Sequence, residues 1–180
     1  MIYNIVNTKE NIEYIQIIED LFTNPTVQQM KSFRQHYQTS CLEHCLEVSY
    51  ISYIICRKLG LDYAAAARAG LLHDLFLYDW RHSRKKLNLE SYHAFIHPKI
   101  ALENASKLFE LTDKERDIIV KHMWPVTLFD LPKYKESFII TLVDKYSALK
   151  SFKQYYCSHL NKNIIYRYAY AFLALLVFRI

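Results

Sequence analysis

Only two glycines, Gly60 and Gly70, occur in 180 residues, together with four prolines. Glycine supplies the positive φ angles that tight hairpin turns require, so a sheet-rich fold would have almost nothing to turn on here. Long helices joined by short connections are what such a chain can build. The same scarcity excludes both common glycine-rich phosphate loops. With 52% apolar residues and a length that buries about 70% of the unfolded surface, the chain can form a real core. The expected fold class is all-α.

Local signals place the helices. Residues 8–22 carry Ile12, Ile15, Ile18, Leu21 and Phe22 at helical spacing. Pro25 opens a second helix through Val27, Met30 and Phe33. Ser40 and Glu43 read as a capping box, so a third helix runs from about Cys41 to Leu59 and ends at Gly60. Asp62 caps a fourth, whose Ala64–Ala67 run favours helix and lets neighbouring backbones approach. Pro98 sets the start of a fifth helix reaching Phe109, which leaves His93 in the loop before it. Thr112 and Glu115 cap a sixth, stopped by Trp124-Pro125. The loop from Met123 to Pro132 is a candidate pocket wall or lid. A further helix, about Lys133 to Lys150, carries Phe138, Leu142 and Ala148.

The chemistry concentrates where the fourth helix should end, in Gly70-Leu71-Leu72-His73-Asp74-Leu75-Phe76. An imidazole and a carboxylate side by side in an apolar segment cost several kcal/mol if buried unpaired. A mutual hydrogen bond or a backbone partner would compensate them. A metal ion would do so more directly, since neutral imidazole and ionised carboxylate are natural ligands. Adjacent helical residues point about 100° apart, so the pair serves one site only if Asp74 swings across or bridges two ions. His44, His97, His122 and Asp144 are further candidates. Judged singly, His44 on an apolar helix face reads as a core histidine, and Asp144 as half of a salt bridge.

The order His44, His73-Asp74, His97, His122, Asp144 resembles the H…HD…H…H…D pattern of the HD superfamily of metal-dependent phosphohydrolases, from about Gln35 to Ala148. The resemblance implies one HD domain, a bundle of about seven to nine helices over residues 1–180. Its core would span about 35–150, with N-terminal helices over 8–36 and an apolar C-terminal helix over about 160–178. It implies six metal ligands: His44, His73, Asp74 and Asp144 on one ion, and Asp74, His97 and His122 on another. His73 and Asp74 are then the catalytic pair, and His36 and Lys145 the candidate substrate contacts, with His93 in a supporting position. The implied activity is cleavage of a small phosphate ester such as a nucleotide by metal-activated water, and no protein nucleophile is needed. Imidazole-rich ligand sets suit iron, manganese, zinc or nickel, as one or two divalent ions. The chain departs from better-known subgroups: Leu-Phe follows His73-Asp74 in place of Ile-Gly, and no Gly-Tyr-Pro signature occurs. A non-hydrolytic nucleotide- or metal-binding module and a di-iron oxygenase are the alternative readings.

Composition narrows the partners. The net charge of +5 is dispersed, which suits a small anionic substrate better than a nucleic acid. The basic run at residues 81–86 reads as a solvated loop or as a rim attracting anions. Four cysteines without a Cys-x-x-Cys pair fit a reducing compartment, and the start lacks the pattern of a secretory signal, so a cytoplasmic location is expected. Cys41 and Cys45 flank His44 and could supply a thiolate site, though buried cysteine is a common small apolar residue. The stretch from Ile164 to Phe178 is apolar nearly all round, as a solvent-facing helix cannot be. It is short for a membrane span, so burial against the domain, or a homo-oligomer through this segment, is expected.

Overall fold

The computed structural model describes residues 9–36, 39–81, 93–162 and Tyr168. Among these, seven α-helices and one two-stranded ribbon make an all-α architecture. No described helix is long and apolar enough to cross a membrane. Apart from Tyr168, the apolar stretch beyond Lys162, with the C-terminal association expected of it, and most of the 81–86 basic run lie outside the described residues.

Helix α1 (Lys9–Phe22) buries Tyr14, Ile18 and Leu21, spaced four and three apart on one face. Asn24 caps α2 (Pro25–Gln28), accepting from Thr26 N at 2.9 Å, with Pro25 at its first position. The second helix is shorter than the apolar spacing suggests. It tightens into a 3₁₀ turn over Gln29–Ser32, and Phe33 is already extended, because the chain turns there into an antiparallel ribbon. That ribbon pairs β1 (Arg34–His36) with β2 (Thr39–Ser40).

The ribbon feeds α3 (Cys41–Lys58) through the Ser40–Glu43 capping box, present in both directions. Gly60 then takes φ +66°, which a residue with a Cβ rarely adopts, and ends the helix. Asp62 caps α4 (Tyr63–Leu72), accepting from Ala65 N at 3.0 Å. Helix α4 is the central rod: α1, α3, α5 (His93–Leu108), α6 (Asp113–Lys121) and α7 (Lys135–Lys162) all pack on it. Its alanines make that approach feasible, and Ala65, Ala66, Ala67 and Ala69 are buried. The tightest point is Gly70, where an added Cβ would lie 2.8 Å from Ser49 Cα of α3. Arg68 fastens the rod outward, donating to both Asp20 carboxylate oxygens at 2.7 and 3.0 Å and to Glu115 Oε1 at 3.2 Å.

Two further boundaries differ from the sequence reading. Pro98 lies inside α5 rather than at its start, so His93 is helical and one turn before His97. Proline there removes one backbone hydrogen bond near the helix start, and the extra turn lets His93 O accept from His97 Nδ1 at 2.8 Å. Helix α7 continues to Lys162 instead of stopping near Lys150, since nothing between these positions breaks it. Between α6 and α7, Asp117 is buried and holds the returning chain, accepting from Lys133 N at 3.0 Å, Ser137 Oγ at 2.7 Å and Lys121 Nζ at 2.7 Å.

Two outcomes follow. Gly70→Ala should lower stability by about 1–3 kcal/mol, the usual cost of overpacking, read as a fall in the urea midpoint. Burial opposes charge on Asp117, but the hydrogen bond from Lys121 and those from Lys133 N and Ser137 lower its pKa. Its contribution is therefore complete above the ordinary carboxylate value of about 3.9 and disappears as pH falls through the lower folded value. Asp117→Asn should cost about 1–3 kcal/mol at pH 7, and the gap to the unsubstituted protein should narrow in urea titrations as pH falls below the ordinary carboxylate value.

Candidate metal centre

Each of the six side chains comes from an element end or an inward helix face. His44 sits in the first turns of α3, His73 caps the C-terminal end of α4, and Asp74 follows it outside the helix. His97 lies in the second turn of α5, His122 caps the end of α6, and Asp144 lies inside α7. Leaving the helix resolves the angular problem of the adjacent pair, because the Asp74 carboxylate is free to turn back toward His73. All six are buried.

The two oxygens of Asp74 face different partners. Oδ2 lies 3.4 Å from His73 Nε2 and 3.9 Å from His44 Nε2. Oδ1 lies 3.2 Å from His97 Nε2 and 3.5 Å from His122 Nε2. Asp144 Oδ1 completes the first side, 3.0 Å from His44 Nε2 and 3.8 Å from His73 Nε2. The groups that could hold a metal ion are His44, His73 and Asp144; Asp74, His97 and His122; and Cys45, His73 and Asp74.

Three of the imidazoles have their outer nitrogen fixed by local backbone. His73 Nδ1 pairs with Gly70 O at 2.8 Å, His97 Nδ1 with His93 O at 2.8 Å, and His122 Nδ1 with Ile119 O at 2.7 Å. A carbonyl can only accept, so each Nδ1 carries a proton, which leaves Nε2 as the nitrogen that presents a lone pair inward when the ring is neutral. The Nε2 atoms of His97 and His122 face each other at 2.9 Å, and with both rings neutral two lone pairs cannot satisfy one another. A shared cation does satisfy them, since two nitrogens about 2.1 Å from one ion and at right angles lie about 3 Å apart. His73 Nε2 and Asp74 Oδ1 are buried and lack a hydrogen-bond partner. Buried polar atoms are rarely left so. The residues therefore fit a metal ion.

The electrostatics agree. Burial opposes charge on Asp74, but His73, His97 and His122 around it hold its carboxyl far below the ordinary range. Asp144 is likewise held down against its burial by His44 and His73. Burial opposes charge on His73, yet the Asp74 carboxylate pushes its pKa well up. Burial and the proximity of His73 push His122 down to about 3. Two ionised carboxylates demand positive charge: without metal the proton on His73 supplies part of it, and a bound cation would take its place, because an imidazole must be deprotonated to ligate. The thiols do not supply a ready ligand: burial raises the pKa of Cys41 and Cys45, and a protonated thiol ligates poorly. Cys41 Sγ instead donates to Asp74 O at 3.2 Å.

Gln35, Ser147 and Glu47 join the site without having been singled out by sequence. Gln35 Nε2 donates to Asp74 Oδ2, and Ser147 Oγ lies 3.3 Å from His44 Nδ1. Contacts spanning 39 and 103 positions leave no local periodic trace. His93 supports His97 by stacking on it, centroids 4.5 Å apart, and Trp80 also stacks on His93 at 5.5 Å. Lys145 is half-buried at the edge, donating to His122 O at 3.0 Å and lying 3.8 Å from Asp144 Oδ2. The backbone of His36 ends β1 beside Gln35, while its side chain lies outside the described residues.

A family model described as "HD domain" matches residues 41–149, more than half of the chain. The chain belongs to the HD domain family. Local matches include ribonucleases Y: those of Clostridium perfringens and Thermus thermophilus are each 46% identical over 43 residues, and that of Aquifex aeolicus is 49% identical over the same length. In each case this is 24% of the present chain and 8% of the relative, so the chain spans a small part of those proteins. No solved structure matches.

For an HD domain with this ligand set, a divalent transition-metal ion at a hundred times its Kd should raise the unfolding free energy by about 2.7 kcal/mol. Calcium or magnesium at the same concentration should shift it less. Urea titrations of chelator-treated protein, with and without each ion, check this.

Proposed function

We propose that the protein is a metal-dependent phosphohydrolase that cleaves a small phosphate ester, with nucleotides as the substrate class. The observation that carries the reading is Asp74, a buried carboxylate whose Oδ1 and Oδ2 serve two separate sets of imidazole nitrogens. His44, His73, Asp74 and Asp144 would hold one ion, and Asp74, His97 and His122 the other, with iron, manganese, zinc or nickel suited to the donors. When bound, such ions acidify water and draw charge from phosphoryl oxygens.

The chain's own residues account for the rest. Asp74 bridges and fixes the separation of the two sets, and His73 keeps its inward nitrogen free because Gly70 O occupies the outer one. Lys145 lies at the edge of the centre, where its ammonium can meet a phosphate oxygen. His36, one residue beyond Gln35, is the second substrate contact proposed. The local likeness to ribonucleases Y adds RNA phosphodiesters to the substrates worth testing.

The test is a hydrolysis screen of the full chain after chelation and reloading with each of the four metals. Nucleotides, an activated phosphodiester and short RNA serve as substrates. Phosphate-ester cleavage should require metal, and Asp74→Asn should reduce it more than about a hundredfold, beyond the loss of a merely supporting contact. Tight metal binding with no turnover on any substrate would overturn the hydrolase in favour of a binding module. Oxygen uptake by the reduced iron form without phosphate release would overturn it in favour of an oxygenase.

A further inference from the structure

His44 differs from the other three imidazoles in how it is held. His73, His97 and His122 lean on carbonyls three or four residues back in their own helices, so helix geometry alone orients them. The outer nitrogen of His44 faces a side chain of another helix, Ser147 Oγ of α7 at 3.3 Å. Ser147 is fully buried, and its hydroxyl donates to Glu47 Oε2 at 2.7 Å. With its proton committed there, the serine oxygen presents lone pairs, so His44 Nδ1–H donates to it. Glu47 Oε1 in turn accepts from Lys150 Nζ. Glu47 lies one turn after His44 on α3, while Ser147 and Lys150 lie one and two turns after Asp144 on α7.

We propose that Ser147 and Glu47 are positioning residues: a relay from the Glu47 carboxylate through the Ser147 hydroxyl to His44 Nδ1 sets the strength and aim of His44 as a ligand. The inference rests on the metal-centre reading above. A carboxylate behind a ligand imidazole raises its basicity and fixes its tautomer, and here the carboxylate acts through one intervening hydroxyl. The relay also ties α3 to α7 at the level where they contribute His44 and Asp144, whose Nε2 and Oδ1 are 3.0 Å apart. The consequence is an asymmetric centre. The His44 side depends on contacts between two helices, and the His97–His122 side on backbone within each helix.

The experiment is calorimetric titration of the chelated full-length protein with cobalt(II), for the unsubstituted chain, Ser147→Ala, Glu47→Gln and the double variant. Circular dichroism and urea midpoints establish that each variant is folded. The unsubstituted protein should bind two ions. Each single variant should weaken one ion by about ten- to a hundredfold, as loss of such supporting contacts does, and leave the other within about twofold. The double variant should match Ser147→Ala alone, because without the hydroxyl the carboxylate no longer reaches His44. A merely structural role would weaken both ions together or give additive losses, and either result overturns the relay. Two ions bound with unchanged affinities in all variants overturns the relay while leaving the hydrolase reading intact. An unsubstituted protein that takes up fewer than two ions overturns the two-ion centre and the relay with it.

Discussion

A single buried carboxylate, that of Asp74, sets the terms for the rest of this molecule. Burying an ionised group costs several kcal/mol unless charge and hydrogen bonds compensate it, and the fold assembles both around this one. Four imidazoles approach within 4 Å of its oxygens, and Gln35 reaches it from the ribbon. Because three of those imidazoles commit Nδ1–H to backbone carbonyls, each turns Nε2, the nitrogen that would ligate a cation, toward the carboxylate. The arrangement is thus better satisfied by a cation than by the protein's own groups, which links the geometry to metal chemistry.

Bringing that carboxylate into place depends on how closely helices approach. Helix α4 delivers His73 and Asp74 to the centre of the bundle because its inward residues are small, down to Gly70 against Ser49 of α3. A thicker rod would hold α3 and α7 away, and with them His44 and Asp144. Arg68 braces the same helix against α1 and α6, and α6 ends in His122. Packing and chemistry therefore share the same few residues at the end of α4.

Much of this was legible along the chain where the cause is local. Both capping boxes are formed as the Ser40–Glu43 and Thr112–Glu115 spacings imply, because the partners are three residues apart and need nothing else. Gly60 ends α3 for the same kind of reason. Local rules misplaced what neighbours decide. Pro98 is a good helix start in isolation, yet α5 begins a turn earlier and places the His93 carbonyl under His97. The second helix is cut short by the ribbon, which the apolar spacing through Phe33 did not announce.

The sequence by itself determined the helical class, the helix caps and six residues able to ligate metal. The class and caps follow from glycine scarcity and short-range spacing, the His73-Asp74 pair from the cost of burying imidazole and carboxylate in an apolar segment, and the other four from the resemblance to the HD pattern. Only the tertiary structure decided that Asp74 turns its two oxygens to different partners, and that Gln35, Ser147 and Glu47 stand behind the centre. Those contacts join positions 39 to 103 residues apart, and a polar side chain meeting another across such a distance leaves no period or motif in the chain that carries it.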